Sequence, residues 1–169
     1  MAISTDFKRY FIFILSIFLI CGCSKGGSAF QEAPDFSLLD IHGNRVNLKD
    51  LRGKIVLLDF WATWCPPCRM SIPELMDIQR RYMDKGVVVL GVSMDDYGDM
   101  TERFLLAFKY RYGLNYTILR PNRELLLNYF GTQNMALPTL FIIDRKGKIR
   151  KKFVGYIPGA VEKAIKELR

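Results

Sequence analysis

The chain has 169 residues, 50% of them hydrophobic and 25% charged, which suits one substantial core and excludes a string of independent domains. Net charge is +8, from 25 Lys and Arg against 17 Asp and Glu. The basic residues are scattered except between Lys146 and Lys152, so they read as solvated faces, and no nucleic-acid partner is expected.

Lys8 and Arg9 precede an apolar run from Tyr10 to Ile20, shorter than the roughly 20 residues of a comfortable membrane span. A signal-peptide core is the better reading, with an uncleaved N-terminal anchor as the alternative; both export the remainder of the chain. Ile20-Cys21-Gly22-Cys23 resembles a bacterial lipobox, so residues 1–22 are expected to be removed and Cys23 to carry a lipid. Residues 23–32, with Gly and Ser and no periodicity, read as a tether, and 33–169 as the folded domain.

From Ala33 to Leu48 the pattern predicts a hairpin lid, with its turn at Asp40 to Asn44 around Gly43. His42 falls in that turn and reads as solvated. Lys54 to Phe60 is a short, continuous, β-branched apolar run, hence a central buried strand. Asp59 is its exception. A desolvated carboxylate six residues before Cys65 would have a raised pKa and could exchange a proton with a thiol; the alternative is a strand-end aspartate that faces water or caps a turn.

Trp61-Ala62-Thr63-Trp64-Cys65-Pro66-Pro67-Cys68-Arg69 comes directly after it. A strand feeding a turn that opens a helix puts Cys65 at a helix N-terminus, where free backbone N–H groups favour a thiolate. Cys68 lies one turn inside, placed to resolve a mixed disulfide formed at Cys65. Pro66 and Pro67 suit a first helical turn, whose N–H groups have no intrahelical partner. The alternatives are a structural disulfide or half of a zinc site; zinc would need further ligands, and only His42, Cys21 and Cys23 remain, so no metal is expected.

Pro67 to Lys85 reads as a helix carried by Met70, Leu75, Ile78 and Met83, kinked at Pro73 and ended by Gly86. Next come a buried strand at Val87 to Ser93, a helix at Met100 to Arg111 with Phe104, Leu105 and Phe108 on one face, a short strand at Asn115 to Leu119 and a helix at Arg123 to Phe130. Ala136-Leu137-Pro138-Thr139 precedes a strand at Leu140 to Asp144. A proline there suits a cis Leu137-Pro138 bond that offers the Leu137 backbone to an extended substrate, against the alternative of an ordinary loop proline. Arg145 to Lys148 turns the chain into Ile149 to Val154, and Pro158 to Arg169 closes it as a helix.

Val56 to Arg69, the proline at 73, and Leu137 to Asp144 together resemble the exported thioredoxin-like thiol-disulfide oxidoreductases of the TlpA and ResA type, within the AhpC/TSA and redoxin superfamily. The likeness covers about residues 33 to 169. It implies an α/β thioredoxin fold, a central mixed sheet flanked by helices, with an N-terminal hairpin and a helix-strand insertion around Asp95 to Asn122. It also implies exchange by Cys65 and Cys68, Asp59 as the buried acid, and a substrate groove at Trp64, Pro66, Leu137 and Pro138. No cofactor is implied.

Many ResA-like proteins carry a glutamate three residues after the second cysteine, where this chain has Ser71, and the segment from Gly131 to Leu137 is longer than usual. The expectation is a monomeric, membrane-tethered reductase of protein disulfides. Its client is a disulfide-containing protein, with cytochrome c maturation as one setting that Ser71 weakens, and a membrane electron donor re-reduces it. Two other classes stand beside this one. A peroxidase of the peroxiredoxin type expects Thr and Pro at set offsets before its cysteine, and Trp61 to Trp64 does not supply them. A Cu(I)-delivery module would use the dithiol as soft ligands, usually with a histidine beyond the cysteines, and none occurs after His42.

Overall fold

The computed structural model describes residues 31–168 apart from 97, 98 and 134. The expected signal peptide, the lipidated Cys23 and the tether up to residue 30 therefore lie outside the described residues.

Five strands form one sheet in the order β5-β4-β3-β6-β7: β3 (Ile55–Trp61), β4 (Val87–Ser93), β5 (Thr117–Leu119), β6 (Thr139–Ile143) and β7 (Ile149–Val154). β3, β4 and β5 run parallel, while β6 runs antiparallel to β3 and β7 to β6. All seven residues of β3 are buried, as a strand covered on both faces must be. Its side chains alternate between two cores. Ile55, Leu57 and Trp61 face a layer formed by α1 (Pro66–Tyr82), α2 (Asp99–Tyr112) and α4 (Ala160–Glu167). Val56, Leu58 and Phe60 face the hairpin of β1 (Ser37–Leu39) and β2 (Arg45–Asn47), together with α3 (Arg123–Phe130).

Particular residues mark several element ends, although the last helix (Ala160–Glu167), the short strand (Thr117–Leu119) and α1 are each shorter than the sequence pattern predicts. Gly43, Gly86 and Gly147 have φ of 82°, 78° and 83°, a left-handed backbone that only glycine adopts without strain. Asn122 caps α3, its side-chain oxygen accepting the Leu125 N–H at 2.8 Å. Asp144 accepts the N–H groups of Lys146 and Lys148, both at 2.9 Å, which fixes the turn from β6 to β7. The hairpin lid, the helix-strand insertion (α2 and β5) and the turn histidine, which is exposed, stand where expected.

Two expected apolar stripes are corrected. On α1 the buried face is Cys68, Ser71, Ile72, Leu75, Ile78 and Tyr82, whereas Met70 and Met83 are 63% and 54% exposed. Periodicity from a different starting residue gives a different face, and the start is set by the cysteine turn. On α2, Leu105 and Phe108 are buried but Phe104 is 54% exposed. Pro73 lies inside α1 without ending it: its missing N–H leaves the Arg69 carbonyl one helical bond short, and the helix runs on to Tyr82.

Candidate active site

The site forms at the carboxyl end of β3, where the chain leaves the sheet at Trp61 and enters α1 at Pro66. Met94 N–H donates to the Trp61 carbonyl at 2.7 Å, and Cys65 N–H to the Ala62 carbonyl at 3.2 Å, which closes a tight turn. Cys65 is the N-cap of α1, with φ −88° and ψ 109°. Its Sγ accepts the Cys68 N–H at 3.3 Å, and its carbonyl the Arg69 N–H at 3.1 Å. Pro66 and Pro67 occupy the next two positions, where a missing N–H removes no helical bond. With no acid in the first turn, the helix presents an uncompensated positive end to the Cys65 sulfur.

Cys65 and Cys68 are joined as a disulfide, with Sγ–Sγ 2.07 Å, and the structure is that of the oxidised protein. Their surroundings differ. Cys65, itself only 4% exposed, edges a groove lined by Trp64, Pro66, Pro67, Met94, Met135 and Leu137, in which Trp64 is 66% exposed. Cys68 is fully buried behind it, in the layer between sheet and helix. Of two thiols so placed, the outer can meet an incoming disulfide and the inner can only attack what the outer has bound.

Asp59 is 1% exposed, and its position on β3 turns it toward the α1 layer that also holds Cys68. Burial alone pushes its carboxyl up to about 7 from the ordinary 3.8, so neutral pH is where it can both take and give a proton. Asp59 Oδ2 has no hydrogen-bond partner among the described residues, and neither does Glu74 Oε1. Both residues line a cavity of about 20 Å³, room for one water, together with Ser71, Pro138, Leu140 and Tyr156. Tyr116, paired electrostatically with Asp59, is itself pushed well above its ordinary value, by burial first and by that carboxylate second. Leu137-Pro138 is a cis peptide bond; Leu137 lines the Cys65 groove and Pro138 the Asp59 cavity, so the pair separates the two spaces.

The structure thus brings Cys65, Trp64, Pro66 and Leu137 together in one groove, and sets Asp59 with Pro138 behind it. Sequence reading missed three groups at the site: Glu74, and the buried pair Thr63 and Asp95 beneath the cysteine turn. Asp95 had one available signal. It lies just past the carboxyl end of β4, the parallel neighbour of β3, and the ends of such strands are where α/β sheets place their sites. Among the described residues, no three His, Cys, Asp or Glu side chains gather as metal ligands would.

Comparison with known proteins agrees with the geometry. The AhpC/TSA family model matches residues 30–152. The thiol-disulfide oxidoreductase ResA of Bacillus anthracis is 30% identical over 161 residues, covering 88% of this chain and 90% of its own. The thioredoxin-like protein YneN of Bacillus subtilis is 39% identical over 125 residues, 74% of this chain and 71% of its own. A crystal structure titled as a thiol:disulfide interchange protein DsbE from Chlorobium tepidum superposes with TM-score 0.71 at 33% identity, covering 82% of this chain and 96% of that one. With its thioredoxin-like sheet and its Cys65–Cys68 pair, the chain belongs to the AhpC/TSA family as a thiol-disulfide oxidoreductase of the ResA and DsbE type.

Proposed function

We propose that the protein works outside the cytoplasm, tethered by a lipid on Cys23, as a monomer that reduces disulfides in client proteins. The observation that carries this reading is the unequal placement of the two sulfurs, Cys65 on an apolar groove at a helix N-terminus and Cys68 sealed behind it. In the reduced protein the Cys65 thiolate attacks one sulfur of a client disulfide. An S–S bond forms between Cys65 and the client, and the other client sulfur leaves as a thiolate. Cys68 then gives its proton to the Asp59 carboxylate and attacks Cys65 Sγ, which releases the second client thiolate and forms the Cys65–Cys68 bond. Two electrons pass from the enzyme to the client. A membrane electron donor returns them, because thiols are not kept reduced in an oxidising compartment.

Trp64, Pro66, Leu137 and Pro138 serve as the client surface in this reading. The exposed indole and the Met94 and Met135 side chains offer apolar, adaptable contacts for an extended segment around the client cysteine. Ser71, whose hydroxyl donates to the Cys68 carbonyl at 2.8 Å, leaves Asp59 as the acid beneath the helix turn. Capture tests the whole scheme. A Cys68→Ala variant holds its client as a mixed disulfide through Cys65, and those adducts disappear in the Cys65/Cys68 double variant. Absence of reducible adducts, together with an equilibrium potential close to that of the strong oxidants, sinks the reductase reading.

A further inference from the structure

Beneath the turn that delivers Cys65 lies a buried polar cluster which the exchange steps above do not use. Thr63, Ser93, Asp95 and Arg120 are each 8% exposed or less. The Asp95 carboxylate takes the Thr63 N–H on both oxygens, at 3.3 and 3.2 Å, the Thr63 hydroxyl at 2.6 Å and the Ser93 hydroxyl at 2.7 Å. Ser93 Oγ in turn accepts the Asp95 N–H at 3.2 Å and the Arg120 guanidinium at 3.4 Å. Arg120 also donates to the Asp96 carbonyl at 2.8 Å, and its own N–H to the Leu39 carbonyl at 2.9 Å. The end of β5 and the hairpin are thereby tied to the cysteine turn.

A carboxylate taken out of water is tolerated only where hydrogen bonds replace what it lost. Here the bonds come from Thr63, two residues before Cys65, and from Ser93. Displacing the turn therefore stretches or breaks bonds to a buried carboxylate, which favours the position it holds. The groove around Cys65 is lined by Trp64, Pro66, Pro67, Met94, Met135 and Leu137, none of which titrates. The charged groups on the elements behind it are Asp95 and Arg120 at the ends of β4 and β5 and Arg69 on α1, with Asp59, which changes charge near neutrality, on β3.

We propose that Asp95 is a positioning residue for thiol-disulfide exchange, fixing the Thr63 turn that sets Cys65 at the head of α1 and, with Arg120, setting the charge balance felt by the Cys65 sulfur. This rests on Cys65 as the attacking thiol and is independent of client and of the direction of electron flow. Opposite charges must act oppositely. Asp95 opposes a thiolate and Arg120 favours it.

The test is the pH dependence of Cys65 alkylation by iodoacetamide in the reduced full chain. Asp95→Asn is expected to lower the midpoint and Arg120→Gln to raise it, each by about one pH unit. Thr63→Val, which keeps the shape and the charge but loses the 2.6 Å bond, is expected to lower kcat for reduction of a model disulfide about tenfold, and Thr63→Ser to restore it. Midpoints that move the same way or not at all, or a serine that fails to rescue, overturn the proposal. So does a set of variants that lose only thermal stability. Should Asp95→Asn not fold, the Thr63 pair carries the test by itself. A wild-type chain that alkylates normally yet reduces no client disulfide would instead count against the reductase reading and leave the midpoints standing.

Discussion

Replacing Asp59 by Asn should make the protein more stable at neutral pH and less able to complete its reaction. The carboxyl sits at about 7 in the fold against 3.8 ordinarily, and the sole cause is burial. A native state that holds the proton more tightly than the open chain is favoured below pH ~4, loses that advantage as pH rises, and has lost it all above pH ~7. At ~1.4 kcal/mol per pH unit, ionised Asp59 costs the fold up to about 4 kcal/mol at pH 8, a large share of a usual total of about 5–15. The asparagine amide titrates nowhere, and an unsatisfied buried amide costs a pH-independent ~1–3 kcal/mol. The variant minus wild-type difference in unfolding free energy should therefore climb by about 4 kcal/mol between pH 4 and pH 8 and flatten beyond. Urea unfolding of the disulfide form across that range reads it, and all other titrating groups cancel in the subtraction. A difference that stays flat with pH would refute the burial argument, and with it the idea that Asp59 exchanges protons near neutrality.

The two tryptophans of the motif should behave in opposite ways. Trp61→Ala, at a fully buried position, should cost about 3–5 kcal/mol in chemical unfolding. Trp64→Ala should stay within about 0.5 kcal/mol of wild type while raising KM for a peptide disulfide severalfold. On α2, Leu105→Ala should destabilise by about 2–5 kcal/mol. Phe104→Ala on the adjacent position should be near neutral, since that ring is 54% exposed. At Gly91 a new Cβ would meet Trp61 Nε1 at 2.8 Å and Tyr116 Cε2 at 3.0 Å, so Gly91→Ala should cost about 1–3 kcal/mol, read by thermal melting.

What could be read in advance was local. Cys65, Pro66, Pro67 and Cys68 announce a helix start because four adjacent residues carry the whole signal, and Asp59 stands out because a charge interrupts an apolar run. Pro138 is legible for the same reason, a ring at the head of a strand. The Asp95 cluster was not, since Thr63 and Asp95 lie 32 positions apart and Ser93 and Arg120 lie 27 apart, and nothing in either neighbourhood names the other. Glu74 reads as one more charge on an amphipathic helix, and only the fold shows its oxygen facing the same cavity as Asp59. The misplaced stripes have a related cause. Met70, Met83 and Phe104 are apolar by type, and type alone does not say which face of a helix the sheet will cover.

The first described residues are stitched to the turn between β6 and β7. Gln31 accepts the Ile149 N–H and Ala33 donates to the Gly147 carbonyl, both at 2.9 Å, while Glu32 bridges Lys148. β6 runs against β3, pairing Ile143 with Val56 and Thr139 with Phe60, so that turn stands at the foot of the sheet and the cysteines at its head. Seven residues of extended strand put about 20 Å between them. The described chain therefore begins at the heel of the sheet, and the two sulfurs stand at its far end.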